Sequence, residues 1–191
     1  MRPRHEMPTP GPAAEIAQVF GALVPQFRTE RTLMRAPRLD DFDAYAGIVG
    51  GPRGAYGGGP MSRDDAWYEF ASLSSCWMLF GHGGWTVEDA ATGEVLGFVI
   101  LGLKPGDLDV ELGFLFREAA EGRGYAFETA ARVRDWAFIH LRLPGLDSYV
   151  DAENSRSIAL ARRLGGKDAT PADWAGTGAL RFRHHSPEDR S

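Results

Sequence analysis

The chain has 191 residues, 43% of them hydrophobic and 25% charged, with a formal net charge of −5. This composition is typical of one globular domain that buries its own core. The acidic balance argues against a nucleic-acid partner, because duplex binders carry a basic face. No apolar run approaches the roughly 20 residues that cross a bilayer, so no membrane partner is expected. Cys76 is the single cysteine; this excludes an internal disulfide and suits a cytoplasmic location.

Residues 1–28 are predicted to be an N-terminal extension. Prolines and a glycine interrupt residues 1–12, which predicts an irregular lead. A short amphipathic helix is predicted next, because an apolar stripe repeats at helical spacing: Ile16, Val19, Phe20, Leu23 and Val24. Pro25 ends it. The stripe is expected to pack on the domain or on the second subunit of a homodimer.

The main domain, residues 29–191, is predicted to begin with one strand and two helices. Arg31–Arg35 predicts a strand and Leu39–Val49 a helix. Glycines crowd Gly50–Pro60, which predicts a loop: either a plain connector or a cover over a site. Ser62 is a suitable N-cap for a helix that continues to about Ser75.

Three strands are predicted in the middle of the chain. Trp85–Glu88 and the nearly all-apolar Glu94–Leu103 come first. Lys104–Asp107 has proline and glycine at the two central positions of a type II turn. Leu108–Phe116 should therefore return antiparallel to its predecessor, with its even-numbered residues on one face of the sheet and its odd-numbered residues on the other.

The last part of the chain alternates between helices and strands. A long helix is predicted from about Tyr125 to Arg142, ended by Pro144 and Gly145. Leu146–Asp151 predicts a strand and Asn154–Leu164 a helix that Asn154 caps. Ala179–His184 predicts a final strand. The pattern as a whole indicates an α+β fold.

The segment from Glu111 to Ala126 is typical of an anion site, because a glycine-containing loop joins a strand to a helix. The first turn of a helix has backbone N–H groups without intrahelical partners, and the helix dipole is positive there. Gly122 and Gly124 allow a close approach, and Arg123 adds positive charge. A dinucleotide fingerprint does not fit, since Phe127 replaces its third glycine.

Three stretches together resemble the GNAT N-acetyltransferases, most closely the RimJ/RimL-like branch. They are Glu111–Phe114 leading into Gly122–Ala126 and Glu128, the long helix that follows, and Val150–Ile158 leading into Arg163–Gly165. The resemblance implies a mixed, mostly antiparallel central sheet of about six or seven strands, with helices on both faces. It also implies that Leu108–Phe116 splays from Leu146–Asp151 in the middle of the sheet.

The resemblance further implies a site for acetyl-CoA. Backbone amides would hold its pyrophosphate, at Gly122, Arg123, Gly124, Tyr125 and Ala126. Backbone groups of Phe114, Leu115 and Phe116 would meet the pantetheine arm as a strand edge meets an added strand. Asn154 and Ser157 match family positions near the pantetheine and the sulfur. Glu121 departs from the family's usual Gln or Arg, and its carboxylate should point away from the pyrophosphate or pair with Arg117 or Arg123.

Amine acetylation needs a base, because a primary amine is mostly protonated at neutral pH. Glu111 is the candidate base, on the polar face of its strand, and Ser157 is the candidate donor to the departing thiolate. A solvated surface carboxylate and an ordinary helix serine are the alternatives. No histidine has metal-ligand spacing, so no metal is expected.

The sequence leaves the acceptor amine open, and Leu39–Ser75 and Gly166–Arg183 are expected to contact it. The leading hypothesis is direct transfer of the acetyl group to a small amine or a protein N-terminus. A CoA-binding or regulatory module without catalysis is the second hypothesis, and a phosphate-binding protein unrelated to CoA is the third.

Overall fold

A single sheet of eight strands organises the chain. The computed structural model describes residues 2–57 and 60–186, so Gly58 and Gly59 of the predicted loop lie outside the described residues. The strands are β1 (Phe27–Arg28), β2 (Thr32–Arg35), β3 (Gly84–Asp89), β4 (Val95–Gly102), β5 (Glu111–Phe116), β6 (Leu146–Asp151), β7 (Lys167–Asp168) and β8 (Ala179–His184).

The strand order is β1-β2-β3-β4-β5-β6-β8-β7. All neighbours are antiparallel except β5 and β6, which are parallel. The α+β prediction is therefore confirmed, with a mixed and mostly antiparallel sheet. The two strands that the sequence did not predict, β1 and β7, have two residues each, too few for an alternating pattern to show.

Five α-helices connect and cover the sheet. They are α1 (Pro12–Leu23), α2 (Phe42–Val49), α3 (Arg63–Phe80), α4 (Tyr125–Ile139) and α5 (Ser155–Arg163). Helix α3 runs to Phe80 rather than Ser75, and Gly81 ends it in the left-handed conformation, at φ 74°. Helix α4 stops at Ile139 rather than Arg142, and Arg142 itself adopts a positive φ of 52°.

The sheet is covered on both faces, as expected. On one face α4 packs its apolar side, including Ala130 and Val133, against strand residues such as Leu112. On the other face α2 and α3 pack against β4 and β5, and Tyr45 and Phe98 are fully buried there. Strand β5 begins at Glu111 and not at the predicted residue 108, because the N–H of Leu108 is bonded by the Tyr149 hydroxyl, 2.8 Å away, and not by a neighbouring strand.

The N-terminal extension is only partly separate from the domain. The α1 stripe is at least half exposed at Ile16, Val19, Phe20 and Leu23, and packing of these four residues on a second subunit stays a prediction. Val24 and Phe27 are buried in the core, and the domain boundary that we placed after residue 28 falls at the turn of the β1–β2 hairpin. The lead is anchored as well, since Glu6 is buried and accepts two 2.7 Å hydrogen bonds from Arg63.

Candidate active site

Strands β5 and β6 are neighbours only at one end. In the part of the chain that the structure describes, their register contains one residue pair, Glu111 with Asp147. The Asp147 N–H donates to the Val110 carbonyl at 2.9 Å. One residue further along β6, the Ser148 hydroxyl donates to the Leu112 carbonyl at 2.8 Å, so a side chain replaces the backbone partner. The strands diverge beyond this point and leave a V that opens towards Phe116.

A cleft of about 1260 Å³ occupies this opening. One wall is the free edge of β5 from Phe114 to Phe116, and another is the loop that leads into α4. The start of α5 and the face of α2 close the other sides. The cleft therefore lies where the sheet lacks hydrogen bonds and where two helices begin.

The start of α4 lies on this cleft without a capping side chain. Gly124 is the N-cap residue, at φ 83°, and this position makes no side-chain capping hydrogen bond. Gly122 is also left-handed, at φ 69°, a conformation that costs other residues about 1–2 kcal/mol. Gly122, Gly124 and Ala126 all line the cleft. The start of α4 therefore has the features from which we predicted an anion site, and phosphate binding there stays a prediction.

The charged and aromatic side chains of the loop each have a defined contact. Glu121 pairs with Arg156 of α5. The Arg123 guanidinium lies over the Tyr125 ring, 5.0 Å from its centroid. That ring is buried, so Tyr125 contributes packing from its side chain and only its backbone to an anion site.

The free edge of β5 exposes the backbone of alternate residues. The Arg117 N–H donates to the Leu96 carbonyl at 2.9 Å, which fixes the hydrogen-bonded pairs of the β4–β5 ladder. By this alternation Leu115 directs its N–H and C=O towards β4, while Phe114 and Phe116 direct theirs into the V. The expected backbone contact from Leu115 to a pantetheine arm does not fit this register, although Leu115 lines the cleft.

Asn154 and Ser157 meet at the first turn of α5. The Asn154 side chain accepts a hydrogen bond from the Ser157 N–H at 3.1 Å, so it caps the helix. Both residues line the cleft opposite the β5 edge. The capping bond holds the Asn154 side chain against the backbone of Ser157 at the wall where a ligand would pass.

Glu111 lies at the closed end of the V. A Cβ on Gly113 would lie 3.3 Å from Glu111 Oε1, so the carboxylate lies back over Gly113, in the direction of Leu115 and the cleft. Burial raises the pKa of Glu111 to about 7; Lys104 opposes this increase, and Asp107 and Glu69 reinforce it. Glu111 is not one of the described residues that line the cleft itself. A partly buried carboxylate that titrates near neutrality is suited to accept a proton from a substrate.

A polar cluster beside Glu111 was missed by the sequence reasoning. Glu69 of α3 accepts a 2.9 Å hydrogen bond from the buried Tyr45 hydroxyl of α2 and pairs with Lys104 of the β4–β5 turn. The Lys104 N–H also donates to Asp107 at 2.6 Å. No spacing in the sequence connects these residues, because the contacts between them join separate elements.

The two ranges that we expect to contact the acceptor differ in whether they line the cleft. Asp43, Ile48 and Tyr56 line the cleft from α2 and the following turn, within the predicted range Leu39–Ser75. Among the described residues, none between 166 and 183 lines the cleft. Arg156 and Arg163 of α5 do line it, and they are cationic wall residues that the sequence reasoning did not assign.

Neither a metal-binding cluster nor a membrane-spanning helix is found within residues 2–57 and 60–186. No group of three or more His, Cys, Asp or Glu side chains is arranged to hold a metal ion. No helix there is long and apolar enough to cross a membrane.

Comparison with known proteins identifies the family. The family model described as an acetyltransferase (GNAT) domain matches residues 31–167. The chain belongs to this family, and it is an acyltransferase by fold. GNAT acetyltransferases use acetyl-CoA as co-substrate, and the residues present fit it: an uncapped helix start for the pyrophosphate and the unpaired backbone of Phe114 and Phe116 for the pantetheine arm.

Individual relatives agree with this assignment. An acetyltransferase of Agrobacterium tumefaciens str. C58 is 39% identical, with a TM-score of 0.80 over 85% of this chain and 95% of that one. YkkB, an uncharacterized protein of Bacillus subtilis (strain 168), is 31% identical over 45% of this chain, and the match spans about half (51%) of YkkB. The ribosomal-protein-S5-alanine acetyltransferase of Vibrio fischeri shares the fold at 14% identity, with a TM-score of 0.67 over 88% of this chain and 100% of that one.

Proposed function

We propose that the protein transfers the acetyl group of acetyl-CoA to a primary amine, directly and within a ternary complex. One observation carries the proposal. The cleft joins an uncapped helix start to a free strand edge, and Glu111, a carboxylate with a pKa of about 7, lies beyond the cleft lining at the closed end of the V. Acetyl-CoA would supply the activated acetyl group, held by the backbone of residues 122–126 and of Phe114 and Phe116.

Glu111 would act as the general base. An acceptor amine over Gly113 would lose its proton to the Glu111 carboxylate, directly or through one water, and the free amine would then be nucleophilic. Ser157 would donate a hydrogen bond or proton to the departing thiolate. Because both substrates bind together, no covalent enzyme intermediate is required.

The acceptor is proposed only as a class. The RimJ/RimL-like reading favours a protein N-terminus, and the Vibrio fischeri relative is described as acting on a ribosomal protein. A small amine is the other candidate. The location is proposed to be the cytoplasm, on the basis of the single cysteine.

Thiol release from acetyl-CoA, measured with a chromogenic disulfide, tests the proposal. The amine panel would contain an alanine-initiated peptide, a polyamine and single amino-acid amides. We expect turnover with at least one amine and a lower kcat for Ser157→Ala, whereas Thr92→Ala, at an exposed hydroxyl of the β3–β4 turn, should match the wild type. Calorimetry would be run in parallel. Binding of CoA with no turnover of any amine would favour the regulatory module, and a preference for ATP or NAD over CoA would contradict both readings.

A further inference from the structure

Arg31, which directly precedes β2, reaches across the fold to the loop that leads into α4. Its Nη1 donates to the Arg123 carbonyl at 2.9 Å, a contact between residues 92 positions apart. Its Nε donates to Glu128 Oε2 of α4 at 2.9 Å, and Nη2 bonds the same carboxylate. One guanidinium therefore binds both the loop and the helix that the loop begins.

The same guanidinium lies on the buried ring of Tyr125. Its central carbon is 4.6 Å from the ring centroid, within the range of a cation–π contact. A Cβ on Gly124 would lie 3.5 Å from Arg31 Nη2, so the arginine also lies against the backbone of the loop. Contacts with a carbonyl, a carboxylate and an aromatic face together suit the planar fork of arginine and not the ammonium of lysine.

The hydrogen bond to the Arg123 carbonyl orients the next amide. In a trans peptide the C=O and the following N–H point in opposite directions. When Arg31 holds the Arg123 carbonyl on its own side of the loop, the Gly124 N–H must point to the other side. Gly124 lines the cleft, and Arg31 is not among the described residues that do, so this N–H points towards the anion site.

The loop needs such a restraint because a glycine lies on either side of Arg123. Gly122 and Gly124 each have a positive φ, and glycine leaves a chain more conformational freedom than any other residue. Without the contact, rotation of the peptide between Arg123 and Gly124 would turn the N–H away from a phosphate. Arg31 is partly exposed, with 43% of its side chain accessible, so its ion pair contributes little to folding. Its value lies in ordering the loop before a ligand binds.

We propose that Arg31 is a positioning residue that holds the pyrophosphate-binding loop in its ligand-ready orientation. This inference rests on the proposed function, because it assumes that the loop binds the pyrophosphate of CoA.

Calorimetric titration of CoA into the wild type and three variants tests this role. Arg31→Ala is expected to raise the Kd about tenfold through the lost preorganisation, and Arg31→Lys to restore only part of the affinity. Arg28→Ala removes an exposed arginine of the same β-hairpin and should leave the Kd unchanged. At saturating acetyl-CoA the kcat of Arg31→Ala should equal that of the wild type.

A truncated donor separates positioning from general damage to the fold. S-acetylpantetheine keeps the thioester and pantetheine arm but lacks the pyrophosphate, so its KM should be the same for Arg31→Ala and the wild type. An equal rise in KM for both donors, or an unchanged Kd for CoA in Arg31→Ala, would overturn the inference and leave the proposed function intact. If the wild type itself does not bind CoA, the proposed function fails and the inference fails with it.

Discussion

The open and closed ends of the V between β5 and β6 are formed by different kinds of groups. The open end, which we propose as the cofactor end, presents consecutive residues 122–126 at a helix start with two left-handed glycines. The closed end of the V, which we propose as the acceptor end, lies beside the side chains of Tyr45, Glu69, Lys104 and Glu111, which come from two helices, a turn and a strand and do not line the cleft itself. Backbone groups suit a co-substrate that never changes. Side chains from separate elements can vary individually, so we infer that this end selects the acceptor.

The largest expected effect is at the acceptor end. Glu111→Gln should lower kcat by about 10²–10⁴-fold, the usual contribution of a general base. The Kd for CoA should not change, because the cofactor end is left intact. Steady-state kinetics with calorimetry would measure both, and Glu15→Gln, on exposed α1, is the control. An equal loss of CoA affinity would show that the two ends are not separable.

For the same variant, Glu111→Gln, the direction of the change in thermal stability can be predicted. Burial raises the pKa of Glu111 from 4.5 to about 7, so the folded state favours the neutral acid, and the wild type loses stability as pH rises through 7. Glu111→Gln should therefore have a higher Tm than the wild type at pH 8. The difference should disappear below about pH 4.5, where both side chains are neutral. Scanning calorimetry at several pH values checks this, and a lower Tm for the variant at pH 8 would contradict it.

A smaller effect is expected at the cofactor end. Gly124→Ala places a Cβ on a residue at φ 83°, and the strain of about 1–2 kcal/mol would favour another loop conformation. Binding of CoA must then restore the original loop conformation. The strain energy is subtracted from the binding free energy, so the Kd for CoA should rise about tenfold. Gly93→Ala is a matched control, since Gly93 has a φ of 74° in the β3–β4 turn and does not line the cleft. Equal Kd values for the two variants would show that α4 does not begin at an anion site.

The smallest expected effect concerns the pH profile. Ionised Glu111 is the active form, so kcat/KM should fall below an apparent pKa near 7. Lys104→Met removes a positive charge that favours ionisation and leaves Glu69 unpaired. Both changes disfavour the ionised form of Glu111, as the nearby Asp107 already does, so the acid limb of the kcat/KM profile should move to higher pH. The Tyr45 hydroxyl stays neutral in this pH range and does not contribute to the limb. Lys104→Arg should keep the original limb, and Lys167→Met, at the chain's other lysine, should not move it. A downward shift would exclude Glu111 as the titrating group.

The sequence was informative where a site is contiguous. The glycines of the loop, the helix after it and the Asn154 cap all showed as local patterns, because turn geometry and helix starts depend on adjacent residues. Strands β6 and β8 were predicted with the bounds that the structure has. Strand β5 was predicted to begin too early, since alternation cannot show that Tyr149, distant in the sequence, bonds the N–H of Leu108.

What the sequence alone determined is the class of the fold and the position of the glycine-bearing helix start that we propose as an anion site, because hydrophobic periodicity and glycine-bearing turns act over a few residues. Only the tertiary structure decided that Glu121 pairs with Arg156, that Leu115 directs its backbone to β4, that Lys104 and Glu69 lie near Glu111 and that Arg31 bonds the Arg123 carbonyl. These contacts join residues from separate elements, and charge pairing and strand register become defined only when the chain is packed.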